Sequence, residues 1–336
     1  MSKSINIGVD VGNFDTKSQN TVTPSGFVEY SDVPFGVKEY LELDGKFYAQ
    51  TPKRFTYVKN KATNENMYIL TLMAIAKEII ANSEKQNAKK KADAQADKSK
   101  KEKVLGVQGE ISLIDTVNLG VGLPLSHYSM YKKDYIEYYE TRMSEYINFK
   151  FAGYDFHFKL GKIGCYPQDL SAVVTYKPTT EDSIIKTKKK TYYAVDIGGW
   201  TVDMLSVVNN ELEGKGASKS LGVLAMDEDI INEVDVRTGV PLQATDIEDI
   251  LMGETTYVSD EVKKIVNDCA KAWFNKIVDE LVQNGMLIQA RPTLFLGGGS
   301  QLFKKYIKEC GKFVKYEFIN NQKANARGYA KLIANS

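Results

Sequence analysis

The chain has 336 residues, 43% hydrophobic and 26% charged, with a formal net charge of +1. That length predicts two lobes rather than one, and the balanced charge gives no global argument for a nucleic-acid or membrane surface. No apolar run reaches the ~18 residues a bilayer span needs, and MSKSINIGVD enters a strand pattern without a signal peptide's apolar core, so a cytoplasmic protein is expected.

In chain order, Ile5 to Asp10 reads as an apolar strand cut by Gly12. Strand-like pieces follow, GFVEYSDV, EYLELDG and KFYAQ, with Asp44-Gly45 as a hairpin turn. A helix capped by Thr63 or Asn64 carries the stripe Ile69, Leu72, Met73, Ala76, Ile79 and Ile80. Residues 84–103 hold Lys, Ala, Gln and Asp but no large apolar residue, so they predict a solvated helical extension or mobile insertion. Lys89, Lys90 and Lys91 are diluted by Glu84, Asp93, Asp97 and Glu102 and have no aromatics between them, so direct nucleic-acid binding is not expected there.

TVNLGVGLPLSHY predicts a strand ending in a Gly-Leu-Pro turn, followed by a helix with Tyr128, Tyr131, Tyr135, Ile136 and Met143. NFKFAGYDFHFKL and GKIGCYP read as two strands, and QDLSAVVTYK as a helix or a strand. The polar, Lys-rich KPTTEDSIIKTKKK is the expected inter-domain break. The second half opens with the strands TYYAVDIGG and TVDMLSVVNN, then a Gly/Lys/Ser turn and a helix from about Val223 to Val236. A longer helix begins at the N-cap Ser259, buries Val262, Ile265, Cys269, Trp273, Ile277 and Leu281, and ends at Gly285. PTLFL runs through GGGS into the helix QLFKKYIKECG; the strand VKYEFI and a helix containing NARGYAKLIAN close the chain. Alternating strands and helices in both halves give an α/β protein.

Cys165, Cys269 and Cys310 form no metal-ligand spacing and read as small buried or half-buried thiols. His127 and His157 lie in no Ser/His/Asp or HExxH context. The chemistry sits in two similar segments, INIGVDVGNFDTK and YYAVDIGGWTVDM. Each is an apolar strand, then Val-Asp, an aliphatic residue, Gly, and a polar tip, which suggests an internal duplication. Gly12, Gly198 and Gly199 allow tight turns that bring bare N–H groups to phosphate oxygens. Thr16 and Thr201 add hydroxyls, and Lys17 a cation. Asp10 and Asp196 would repel polyphosphate unless a cation intervened, so both are read as facing Mg²⁺, through its retained waters. Asp203 is expected to support the second hairpin. In TLFLGGGS, Gly297, Gly298, Gly299 and Ser300 join a strand to a helix, where a side-chain-free loop lets a base or ribose lie against backbone. The chain has no GxxxxGK[ST] motif, no GxGxxG opening a helix after a strand, and no kinase HRD or DFG set.

On these residues the chain resembles the actin and heat-shock-chaperone ATPase superfamily. VDVGNFDTK looks like its first phosphate motif, VDIGGWTVD its second, and LGGGS its adenosine motif. YPQDLSAVV and NARGYA are similar to its two connecting segments, and GVGLPLSHY, YPQ and DIGGWTVD together resemble the bacterial plasmid-partition actins, the ParM/StbA and Alp group. The resemblance implies a duplicated, ribonuclease H-like two-domain fold with a nucleotide cleft between the domains: residues 1–178 plus 320–336, with 84–103 as an insertion, and residues 179–319. It implies that Asp10, Gly12, Asn13 and Lys17 bind phosphates and Mg²⁺, that Asp196, Gly198, Gly199 and Thr201 hold the β- and γ-phosphates, and that Gly297, Gly298 and Gly299 lie against adenosine. Gln168 would orient the attacking water; it is not basic enough to take the proton outright, which predicts slow turnover. The acidic run Asp227, Glu228, Asp229 is read as an exposed helix face, with a ribose contact as the alternative. The implied function is an ATPase, with GTP as a second candidate nucleotide, that polymerises with itself. It would segregate plasmid DNA through a DNA-binding adaptor rather than by direct contact. The alternatives are a sugar or carboxylate kinase of the same superfold and a nucleotide-dependent scaffold that does not polymerise.

Overall fold

The computed structural model describes residues 3–56, 60–96, 114–178, 183–186 and 191–336. The chain divides into two compact units, one of residues 1–123, 127–172 and 323–336, the other of residues 124–126 and 173–322. In chain order it forms β1 (Ser4–Val11), β2 (Asp15–Lys17), β3 (Val22–Pro24), β4 (Phe27–Tyr30), β5 (Tyr40–Leu43), β6 (Lys46–Gln50), α1 (Glu65–Ala96), β7 (Thr116–Leu123), α2 (Leu125–Arg142), β8 (Ile147–Phe151), β9 (Tyr154–Pro167) and α3 (Leu170–Thr175). After a short 3-10 turn at Ile184–Lys186 come β10 (Thr191–Ile197), β11 (Val202–Val208), β12 (Glu211–Lys219), α4 (Val223–Thr238), α5 (Ala244–Met252) and α6 (Asp260–Gln283). The chain ends with β13 (Thr293–Leu296), α7 (Gly299–Leu302), α8 (Lys304–Glu309), β14 (Tyr316–Phe318) and α9 (Ala324–Ala334), the last returning to the first unit.

The first unit holds a nine-stranded sheet in the order β3-β2-β1-β7-β9-β8-β5-β6-β4. β1, β7 and the second half of β9 pair in parallel, and β1 and β7 end in unbroken buried runs, as expected of strands covered on both faces. β8 and the first half of β9 instead alternate buried and exposed residues, the pattern of an antiparallel hairpin with one solvated face. Helix α9 lies close on this sheet because the strands carry glycines beneath it: a Cβ at Gly8 would collide with the Ala326 carbonyl, and one at Gly120 with Tyr329. Helix α1 is capped by Asn64, whose Oδ1 accepts from Met67 N at 3.2 Å, and is buried all round from Met67 to Ala76.

The second unit holds a five-stranded sheet in the order β12-β11-β10-β13-β14. This repeats β3-β2-β1-β7-β9: an antiparallel meander of three, then two strands parallel to the first. The duplication suggested by the two Val-Asp segments therefore extends to strand order. Ser259 caps α6 by accepting from Val262 N, and the expected stripe is buried except for the half-buried Cys269.

Three local expectations change and one open alternative is decided. NFKFAGYDFHFKL turns at Ala152-Gly153, both with positive φ, so GKIGCYP continues the strand begun at Tyr154. The Gly/Lys/Ser stretch after β11 is the strand β12, not a turn; Gly214 and Gly216 adopt φ 79° and 67° beside a register shift at Met204/Ser206. Residues 244–252 form α5, which the sequence reading passed over. QDLSAVVTYK is helical from Leu170. Of the Lys-rich insertion, residues 84–96 continue α1, whereas 97–103 lie outside the described residues, as do 179–182 and 187–190 of the expected break. Among the described residues no helix is long and apolar enough to cross a membrane.

Candidate functional site: two phosphate-type hairpins and a glycine loop

Each unit builds a hairpin of the same register. In the first, Asp10 pairs with Lys17 and Val11 with Thr16, and Gly12 N donates to Asp15 O at 3.0 Å. In the second, Asp196 pairs with Asp203 and Ile197 with Val202, and Gly198 N donates to Thr201 O at 2.9 Å. The aspartate thus ends the first strand, glycine closes the turn, and an exposed aromatic, Phe14 or Trp200, marks each tip.

Within the first hairpin the side chains divide. Asp10 is 5% exposed, and its Oδ1 accepts from Gln168 Nε2 at 2.9 Å, so the resemblance's water-orienting residue lies beside its metal-facing carboxylate. Lys17 has no hydrogen-bond or ion-pair partner for its ammonium among the described residues, which leaves that charge available. Asn13 and Gly12 are half-buried in the turn. Thr16 departs from the expectation: its hydroxyl is buried and shares a 2.9 Å hydrogen bond with Ser25 Oγ, which donates to Gly12 O at 2.6 Å. It braces the turn from behind instead of presenting a phosphate donor, because the strand's alternation points residue 16 inward.

The second hairpin is braced by the start of α4. Gly222 N, Val223 N and Leu224 N donate to the carbonyls of Trp200, Gly198 and Gly199 at 3.2, 3.0 and 2.9 Å. Thr201 Oγ1 donates to Asp203 Oδ2 at 2.9 Å, the support expected of Asp203. In the glycine loop the three residues differ. Gly297 sits at φ 80°, and a Cβ there would overlap the Asp196 carboxylate; Gly299 is packed against Ile197 and Val223; Gly298 is exposed and a Cβ there would meet nothing within 4 Å. Ser300 is fully buried with its hydroxyl on Gly297 O at 2.8 Å, so it closes the loop rather than facing outward.

Around Asp10 the structure adds Lys61 and gives individual roles to residues of the two connecting segments, Asp169 in YPQDLSAVV and Asn325 and Tyr329 in NARGYA. The ammonium of Lys61, 6% exposed, donates to Val11 O at 3.0 Å. Asp169, buried at φ 62°, gives its N–H to Asn325 Oδ1 at 2.8 Å, and Asn325 Nδ2 lies 3.5 Å from Asp10 Oδ2. Burial pushes the Tyr329 hydroxyl well up, with the charges of Asp10 and Asp169 adding to it. Burial also pushes the Cys165 thiol up to about 12, which excludes it as a nucleophile at neutral pH. The acidic run splits: Glu228 and Asp229 are exposed, but Asp227 is buried, which corrects the expectation of an exposed face. The three cysteines are free thiols, buried or half-buried as expected.

Structural comparison supplies the frame for these pieces. The chain is similar to Alp7A, described as an actin-like protein, with a TM-score of 0.70 and 14% identity over 99% of this chain and 96% of that one. It is similar to an archaeal actin homolog, Ta0583, in complex with ADP (TM-score 0.66, 16% identity, 98% and 99% covered), and to a subunit of a 15-stranded ParM filament from Clostridium botulinum (0.65, 17%, 100% of both). The chain has the actin-like fold. Residues 194–309 of this actin-like chain also match the model of the archaeal actin homologue MreB-like C-terminal family, a span from just before Asp196 through the glycine loop. Among curated proteins none matches the sequence.

Proposed function

We propose that this actin-like chain binds Mg-ATP with its two hairpins and glycine loop, hydrolyses it, and assembles with itself into filaments whose lifetime the hydrolysis sets. The observation that carries the reading is the shared register of the hairpins, each presenting a carboxylate at the end of its first strand, with Gln168 held on one of them. The donor set fits a metal-nucleotide rather than a metal alone. Among the described residues no group of three or more His, Cys, Asp or Glu side chains would hold an ion unaided, so the two aspartates need phosphate oxygens and waters to complete a shell. When bound, Mg-ATP supplies the reactive anhydride and neutralises its charge.

The chain's own residues do the rest. Asp10 and Asp196 would hold a bound Mg²⁺ through its waters. Lys17 and the turn amides hold phosphate oxygens in place. Asp10 accepts only, so it fixes the sense of the Gln168 amide: the NH₂ faces the carboxylate and Oε1 is left to accept from a water. Gly298 offers bare backbone to the nucleoside. Plasmid segregation through a DNA-binding adaptor in a bacterial cytoplasm follows the likeness to the partition actins, and the two lobes, residues 1–178 with 320–336 and residues 179–319, are proposed to close on the nucleotide.

The test uses the two tryptophans. Trp273 is buried with Nε1 on Leu221 O at 3.0 Å, whereas Trp200 is 41% exposed at the hairpin tip. In a Trp273→Phe background, Mg-ATP, Mg-GTP and Mg-ADP titrations should each be read by Trp200 emission. Phosphate release, light scattering and negative-stain microscopy complete the measurement, with Asp196→Ala as control. No nucleotide-dependent change in Trp200 sinks the binding claim. Binding and hydrolysis without filaments across salt and protein concentration would leave a nucleotide-dependent scaffold.

A further inference from the structure

We propose that Asn325, at the start of α9, is the positioning residue that fixes Gln168 and Asp10 relative to one another; the inference rests on Gln168 orienting the attacking water. Three contacts converge on this one amide. Its Oδ1 accepts the backbone N–H of Asp169 at 2.8 Å, and its Nδ2 makes two long contacts of 3.5 Å, to Asp10 Oδ2 and to Asp169 Oδ1. The other oxygen of Asp10 takes the Gln168 amide at 2.9 Å, so both oxygens of that carboxylate are approached by amide N–H groups.

The backbone explains why a fixed acceptor is needed. Asp169 is a non-glycine residue in the left-handed region, φ 62°, a conformation that persists only where its surroundings over-determine it. Gln168 N is anchored to Leu123 O at 2.9 Å on one side, and Asp169 N to Asn325 on the other. Between those two anchors the chain turns from β9 into α3, and the Gln168 side chain leaves towards Asp10. Without the Asn325 acceptor the buried Asp169 N–H loses this hydrogen bond, and the turn relaxes towards an ordinary right-handed conformation that re-aims Gln168.

The same turn of α9 also grips the far side of the first hairpin. Lys323 Nζ donates to Asn20 O at 3.4 Å and Arg327 Nε to Gln19 O at 3.0 Å, in the loop that follows Lys17. That loop is held from α1 by the buried carboxylate of Glu78, which accepts from Ser18 Oγ at 2.5 Å and Asn20 N at 2.9 Å. The first turn of α9 therefore ties Asp10, Gln168 and the Lys17 loop into one rigid set, and Asn325 is its member nearest the proposed chemistry.

The experiment compares wild type with Asn325→Ala and Asn325→Asp. The aspartate variant keeps an acceptor for Asp169 N–H and replaces the amide donor with a carboxylate oxygen that Asp10 and Asp169 repel, so it remains informative if the alanine variant fails to fold. The first readout needs no turnover: the side-chain amide resonances of Gln168 in ¹⁵N-glutamine-labelled protein, assigned by their loss in Gln168→Glu. They are expected to shift in both variants while circular dichroism stays unchanged. The second is steady-state Mg-ATP hydrolysis, where kcat is expected to fall ~10-fold or more with KM within ~3-fold, the split that marks a loss confined to the transition state. Gln168 resonances that stay in place, or wild-type kcat in both variants, overturn the inference. A wild type that binds no nucleotide overturns the functional reading instead, and the resonance measurement still decides whether Asn325 positions Gln168.

Discussion

Asp227 offers a prediction whose sign is set by its surroundings. It sits on α4 with Oδ1 sealed from solvent and without a partner, and its pKa is raised to about 7, first by burial and then by the charge of Glu248 on α5. A raised carboxyl pKa means that the folded state binds its proton more tightly than the unfolded chain. Stability from this group is therefore greatest below the unfolded value of 3.8 and is lost as pH rises towards 7, with no further loss above. The shift of about 3 units corresponds to about 4 kcal/mol at most, of which roughly 3 falls between pH 5 and pH 8. Water reaching the second oxygen, and relaxation of α5, reduce the effect, so about 1–2 kcal/mol is expected over that interval. Asp227→Asn is close in shape and does not titrate. The measurement is the urea midpoint of each protein at pH 5 and pH 8, followed by far-UV circular dichroism. Every other titrating group is common to both proteins and cancels in the double difference. The variant should gain on wild type by that amount on going from pH 5 to pH 8. Parallel pH profiles for the two proteins, or a wild type that gains relative to the variant, would refute the assignment of a buried, proton-holding Asp227.

Other substitutions separate folding from binding. Gly298→Ala introduces a Cβ into open space at φ −64°, ψ −39°, so the melting temperature should hold or rise slightly, while nucleotide affinity read by Trp200 falls. Gly297→Ala, at φ 80° against Asp196, should instead lower stability by more than ~1 kcal/mol in a thermal melt, whether or not nucleotide is present. Lys17→Ala should leave the melting temperature within about a degree of wild type, since its ammonium has no partner among the described residues, yet weaken Mg-ATP binding measured by calorimetry. Ser259→Ala removes the acceptor for Val262 N at 3.3 Å and should cost about 1 kcal/mol in chemical denaturation.

What the sequence made legible was local. The two hairpins could be read because strand, aspartate, glycine and polar tip are consecutive, and their register repeats without reference to anything distant. The same reading missed what depends on long-range closure. Asn325 opens the NARGYA segment, but it lies 315 positions from the aspartate it approaches and the segment alone gave it no role; Lys61 lies 50 positions from the carbonyl it caps and stands in no pattern of its own. Strand β12 was hidden because Gly214, Lys215 and Gly216 carry turn chemistry, whereas its pairing with β11 comes from the meander around it. Thr16 and Ser300 were assigned by residue type, but alternation along β2 and the helical start at Gly299 turned both hydroxyls inward.

Asp227 shows where a better signal was available. Positions 223, 227, 230 and 234 follow helical spacing, and Ile230 and Val234 are fully buried, so residue 227 belongs to the core stripe of α4. Its neighbours Glu228 and Asp229 made the run look like a solvated face. An acidic residue placed in an apolar stripe costs stability once ionised. In register the two hairpins differ: Asp196 is set opposite Asp203, whereas Asp10 is set opposite Lys17. In the proposed function the Asp196 and Asp203 carboxylates, beside a glycine loop that cannot accept a Cβ at Gly297, would be completed by a divalent cation and its nucleotide. Mg²⁺ with ADP should therefore raise the melting temperature of the wild type and leave that of Asp196→Ala unchanged. A comparable rise in the variant would place the metal away from the second hairpin.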